Sequence, residues 1–226
     1  MHRVTFLLSA LLGLFIISSK VTGQEIIKKK GYTLTYESND STFDPALKES
    51  LIKTFFKVYP KLSKEYNKNT SKEVKFFVDT SYKGVAATGG GRVRFSASYM
   101  KKHPEDIDVV THEVMHIVQD YGRSVGPGWL TEGIADYARF KFGVNNEAAK
   151  WALPPYKEGQ SYTNSYRITA SFLNWLEKGA YKGVVKKLNS ALHEHSFTAE
   201  TWKNLTTGTL EELWSDYAKQ QSPKNS

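Results

Sequence analysis

The sequence predicts an α+β fold, a small N-terminal mixed sheet with one helix followed by a mainly helical C-terminal half. Three observations predict it. Runs in which apolar and polar residues alternate, the pattern of half-buried strands, all end by Tyr99. One long amphipathic helix, opened by Asp44-Pro45, lies among them. Beyond Pro104 the apolar residues recur at the three-and-four spacing of helices.

The elements follow in order. Met1-His2-Arg3, the apolar run Val4–Ser18 and the small residues Val21-Thr22-Gly23 read as a secretory signal peptide over residues 1–23. The expected location is therefore secreted, extracellular or periplasmic. The run is shorter than the ~20 residues a membrane span needs, so no stable membrane insertion is expected after cleavage. Residues 24–226 are expected to form one domain, with a sheet-containing lobe over 24–103 and a helical lobe over 104–221. Residues 24–30 read as a tail, and Tyr32, Leu34 and Tyr36 as a first strand. The helix after Asp44 carries Leu47, Leu51, Phe55, Val58, Tyr59, Leu62 and Tyr66 on one face, with Pro60 expected to kink or divide it. Val74–Asp79 is a second strand, Thr88–Gly91 a turn, and Arg92–Tyr99 a third strand. The next helix is expected from Pro104, with Glu105 and Asp106 in its first turn and Gly122 as its stop. A reversal over 123–128 leads to a helix over 130–142, and further helices are expected over 165–178, 181–193, 199–205 and 210–220.

Composition limits the chemistry. The 226 residues contain no cysteine, which removes thiol catalysis and disulfides and leaves stability to packing and metal. Loss of Arg3 and Lys20 with the signal would lower the formal net charge from +8 to +6. That charge suits acidic surfaces or polymers without identifying one. The lysines read as scattered rather than striped, and no nucleic-acid motif is present, so no nucleic-acid partner is expected. A monomer is expected.

The chemistry is concentrated in His112-Glu113-Val114-Met115-His116. Histidines four apart on a helix differ by about 40° around the axis, so both imidazoles can reach one tetrahedral Zn²⁺. Glu113 can then reach water in the open position and act as its general base. The helix over 130–142 carries Glu132 in its first turn, where it can serve as third ligand. Asp136 lies one turn on, placed to accept the remaining N–H of a ligating histidine. Gly133 leaves room where helices and metal crowd. His193-Glu194-His195 reads as a solvated helix cap rather than a second metal site.

These residues carry a resemblance. The runs Thr111–Gln119, Gly128–Phe142 and Tyr166–Leu173 resemble the basic secretory protein family of plant and bacterial peptidases. The resemblance implies a zincin-like metallopeptidase domain of the gluzincin type, holding one Zn²⁺ by His112, His116 and Glu132 with Glu113 as base. It also implies secretion and endopeptidase activity on a peptide or protein substrate. Tyr166, in the third run, is the candidate donor to the tetrahedral oxyanion, with Tyr162 and Tyr137 as alternatives. An extended substrate is expected to pair along the strand Arg92–Tyr99, with Arg92 and Arg94 on its polar face read as solvated arginines rather than as a preference for acidic side chains. The competing functions are a secreted zinc-containing binding or defence-type protein with little turnover, and a zinc hydrolase acting on cell-wall peptides.

Overall fold

The computed structural model describes residues 24–122 and 126–222. The expected signal peptide and part of the expected 123–128 reversal lie outside them. Strands β1 (Glu25–Lys29), β2 (Tyr32–Ser38), β3 (Glu73–Asp79), β4 (Ala86–Gly89) and β5 (Arg92–Ser96) form one mixed sheet in the order β1-β2-β3-β5-β4. β1 pairs antiparallel with β2, β2 and β5 lie parallel to β3, and β4 closes the far edge antiparallel to β5.

Both antiparallel pairs turn on two residues with positive φ, Lys30-Gly31 and Gly90-Gly91. Such turns carry the right-handed twist of the flanking strands. The first of them corrects the expected tail at 24–30. Ile27 packs on the core and Lys29 pairs with Tyr32, so a lysine-rich segment becomes an edge strand. The second makes the Thr88–Gly91 turn the tip of a hairpin, so Thr88 and Gly89 belong to a strand.

Helix α1 (Pro45–Tyr66) crosses from β2 to β3, its N-terminus capped by the Asp44 carboxylate accepting from the Ala46 amide at 2.9 Å. It runs through Pro60 as one helix, so the expected division there does not occur. Pro60 is half-buried on the solvent side, where water can replace the hydrogen bond the ring removes. The opposite face of α1 packs on the sheet through Phe55, which meets Phe76 edge-on, and Phe76 meets Phe95.

Three further boundaries differ. The third expected strand ends at Ser96, whose hydroxyl accepts from the Tyr99 amide and caps the short helix α2 (Ala97–Lys102). The long helix α3 (Val109–Gln119) starts at Val109 rather than Pro104 and stops at Asp120, which has φ +41, rather than at Gly122. Side chains before Val109 are engaged elsewhere. Asp106 accepts from the Tyr99 hydroxyl and pairs with Arg139, while buried Asp108 accepts from the Val144 amide at 2.8 Å. Short acidic side chains that bond outside their own helix favour its boundary over its interior.

The helical half contains α4 (Gly128–Phe142), α5 (Tyr166–Lys178), α6 (Val184–His193), α7 (Glu200–Leu205) and α8 (Leu210–Gln221), with a 3₁₀ turn at Tyr162–Asn164. Its aromatic core gathers Phe172, Trp202 and Tyr217, with Trp175 and Trp214 packed against it. α3 lies between the two halves, packed on α1 and β4 on one side and α4 on the other. No helix of the described residues is long and apolar enough to cross a membrane.

Candidate metal centre

α3 and α4 supply the centre, and β4 borders it. His112, Glu113 and His116 occupy one stretch of α3, whose helical spacing stacks the two imidazoles 4.9 Å apart, edge to face. Glu132 enters from the first turns of α4. All three candidate ligand residues offer atoms within 4.8 Å of one another, the only such group among the described residues.

Hydrogen bonds fix the direction of each ring. His112 Nδ1 lies 2.7 Å from Asp136 Oδ1, and His116 Nδ1 lies 2.7 Å from Gln119 Oε1. The Gln119 amide is itself oriented, because its Nε2 donates to the Thr131 carbonyl at 2.9 Å. A carboxylate and an amide oxygen accept only, so each Nδ1 carries the proton. Each Nε2 is then turned to the shared space, where it carries either a lone pair for a cation or a second proton. The two Nε2 atoms are 3.2 Å apart, and Glu132 Oε2 is 3.2 Å from one and 3.5 Å from the other.

That geometry is a test of fit. Ligands about 2.05 Å from a tetrahedral Zn²⁺ are separated by roughly 3.3 Å. The three separations observed bracket this value, and three lone-pair atoms so close repel unless a cation or proton lies among them. The electrostatics agree. Burial disfavours a charged His112, yet the Asp136 and Glu132 carboxylates outweigh it and push the imidazole up to about 10. Burial likewise opposes the Glu132 carboxylate, but His112 and His116 hold it well below the usual carboxylate range. The residues present fit zinc.

Glu113 is buried beside His112, and Thr88 on β4 reaches it across the cleft. The Thr88 hydroxyl lies 2.7 Å from Glu113 Oε2 and 3.0 Å from the Glu113 carbonyl. Thr88 and Gln119 were missed in the sequence. The Gln119 signal was available, three residues after His116 on the same helix face. The Thr88 signal was not, because only the tertiary fold brings β4 to α3.

The three tyrosine candidates separate by position. Tyr166 is 53% exposed, lines the cleft, and lies parallel to the His112 ring at 6.2 Å. It opens α5 with φ +48, directly after Ser165 at φ +67, so two residues outside the usual backbone regions aim it. The Glu132 carboxylate, burial, and the Asp136 and Glu113 carboxylates raise its hydroxyl above the ordinary tyrosine value. Tyr162 instead packs on Trp129 and donates to Glu211, and Tyr137 is buried.

Three other expectations change. The strand from Arg92 is interior, between β3 and β4, and β4 is the free edge beside the site. Arg94 is committed to Asp79 at 2.6 Å, and the Arg92 guanidinium lies over the Phe77 ring. His193 is no solvated cap, since its Nδ1 lies 3.1 Å from the Gln119 carbonyl and ties α6 to the end of α3. The centre opens into a cleft of about 1310 Å³, lined by Val85–Thr88, Trp151 and Tyr166 among others.

The fold thus brings two imidazoles and a carboxylate together at the foot of a cleft, beside the sheet edge β4. The family described as peptidase of plants and bacteria matches residues 30–217, and the chain belongs to it. Among solved structures, the fold is similar to that of a two-domain M1 zinc metallopeptidase variant bound to L-tryptophan, at TM-score 0.51 and 13% identity. That match covers 88% of this chain and 51% of the other, so the chain spans about half the length of that relative. An M1 zinc metallopeptidase variant from Deinococcus radiodurans gives TM-score 0.48 and 11% identity, covering 89% of this chain and 52% of that one. No curated protein matches the chain in sequence.

Proposed function

We propose that the protein is a secreted zinc metallopeptidase that cleaves within extended peptides, with His112, His116 and Glu132 as ligands of one zinc ion. The observation that carries this is the convergence of two imidazole Nε2 atoms and one carboxylate oxygen at tetrahedral spacing beside Glu113. When bound, zinc acidifies the attacking water and polarises the scissile carbonyl.

The protein's own groups do the rest. Asp136 and Gln119 hold the two rings by their Nδ1 protons, keeping both Nε2 lone pairs on the ligand side. Glu113 Oε2 is engaged by Thr88, which leaves Oε1 to take the proton of the attacking water and return it to the leaving amine. Tyr166 lines the cleft beside His112. Its raised hydroxyl stays protonated near neutrality and is suited to donate to the developing oxyanion. Strand β4 offers its free edge to the substrate main chain, so main-chain pairing would place the scissile carbonyl without demanding particular side chains.

The test is cleavage of a diverse peptide library, with products mapped by mass spectrometry, before and after metal chelation. Internal cuts that stop on chelation and return with stoichiometric zinc are expected. Cuts that persist in a zinc-free protein would contradict the reading, and removal of terminal residues alone would make it an exopeptidase.

A further inference from the structure

The solvent face of α1 corrects the reading of scattered lysines. Lys53, Lys57, Lys61 and Lys64 are all exposed, and their spacing of four, four and three places them within about 80° of the helix circumference. They extend over about 16 Å of helix axis, roughly one cation per turn. Lys53 pairs with Glu49 at 3.3 Å. Among the described residues, Lys57, Lys61 and Lys64 meet no carboxylate within ion-pair distance.

A second bank of cations faces this row. A groove of about 280 Å³ separates α1 from β1, and Lys29 and Lys30 line it opposite Lys53 and Lys57, beside Glu25 and Glu49, which pair with Lys48 and Lys53. Ile27, Ile52 and Phe56 form its floor. Side chains alternate along a strand, so Glu25, Ile27 and Lys29 point to the α1 side, while exposed Ile26 points to the other. The basic face therefore carries no large exposed apolar side chain. β1 and β4 are opposite edges of the sheet, so this face lies away from the candidate metal centre.

We infer that the α1–β1 face binds a linear acidic polysaccharide, holding the protein on an anionic polymer while the cleft stays free. Three features select this partner. The cations form a row, which matches a chain of regularly spaced anions better than a point ligand. A spacing of about one helical turn, 5.4 Å, suits one anion per saccharide unit better than duplex DNA with a charge every ~1.7 Å. Insertion into a lipid surface needs apolar side chains beside the cations, and this face has none exposed. Lysines that are exposed and without carboxylate partners also keep their charge available for the polymer, an attraction that salt screens.

The experiment is independent of peptidase activity. Binding of the full chain to polygalacturonate and to a heparin-derived oligosaccharide is measured over a range of salt, for the wild type and two triple variants of equal charge. One carries Lys57→Gln, Lys61→Gln and Lys64→Gln. The other carries Lys178→Gln, Lys203→Gln and Lys219→Gln, which are exposed on α5, α7 and α8. Glutamine has nearly the helix propensity of lysine, so both variants should melt as the wild type does. The inference expects the α1 variant to lose about tenfold or more in affinity and to flatten the salt dependence by roughly two to three charges. The control variant should bind nearly as the wild type, and arginine at positions 57, 61 and 64 should retain binding. Equal loss in both glutamine variants would reduce the effect to net charge and overturn the inference. So would absence of binding at about 0.15 M salt, or tighter binding to anionic vesicles or a DNA duplex than to the polysaccharides.

Discussion

Glu113 is held from a strand that precedes it by 25 residues, through the Thr88 hydroxyl at 2.7 Å. Removing that hydroxyl should leave the ligands untouched and let the carboxylate swing. We expect Thr88→Val to keep its zinc and KM and to lose about tenfold or more in kcat, within the 10–100-fold range of outer contacts at metal sites. Thr88→Ser should restore the rate, and a Val variant as fast as wild type would remove Thr88 from the mechanism. At this scale the legible part of the site was what the helix period fixes. His112, His116, Glu132 and Asp136 could be related by turns of two helices, and the structure brings those four side chains together. Thr88 depends on a hairpin laid against α3, and no local pattern in the sequence encodes that contact. Tyr166 stood out only by the block it occupies, and the two positive-φ residues that aim it into the cleft leave no signal in side-chain chemistry.

At the scale of elements, the packing of α4 on α5 sets where Glu132 sits. Gly133 follows Glu132 directly, and a Cβ there would lie 2.2 Å from the Thr169 methyl on α5. Thr169 cannot easily yield, because it is buried and its hydroxyl bonds the Tyr162 carbonyl at 2.6 Å. Gly133→Ala should therefore force the helices apart at a cost of about 1–3 kcal/mol, read by denaturant unfolding, with weaker zinc binding through displaced Glu132. Unchanged stability would show that α5 can shift freely. The sequence anticipated crowding at Gly133 but not its source in α5. Elements were misread where local chemistry overrode pattern. Lysines hid β1, whose two-residue turn decides its pairing, and the alternation of Ala97 and Tyr99 hid the cap at Ser96 that ends β5. The acidic residues before α3 looked like a favourable first turn, yet Asp106 and Asp108 bond α4 and the segment after it.

At the scale of the molecule, α3 lies between sheet and helical half, and the metal centre sits where they meet. A zinc ion there would tie α3 to α4 while competing with a proton. His112 is pushed up to about 10 by Asp136 and Glu132, so near neutrality the imidazole holds a proton that zinc must displace. The sign follows: higher pH removes the competitor. Zinc affinity should rise about tenfold per pH unit from about pH 6 to 8, with release of one proton seen by calorimetry in buffers of different ionisation enthalpy. A flat profile would mean that the imidazole is already bare. The division into strands first and helices after was legible because apolar alternation stops by Tyr99. The assignment of the free edge to β4 rather than β5 was not, because strand order is a property of the whole sheet.

Glu113→Gln tests the central claim most directly, because it removes the base and keeps the shape. Zinc content and cleavage of a peptide library should be measured together for this variant and the wild type. The account predicts one zinc per chain in both, with cleavage reduced at least about a hundredfold in the variant, as loss of a general base requires. A variant that holds zinc and cleaves as well as the wild type would contradict it.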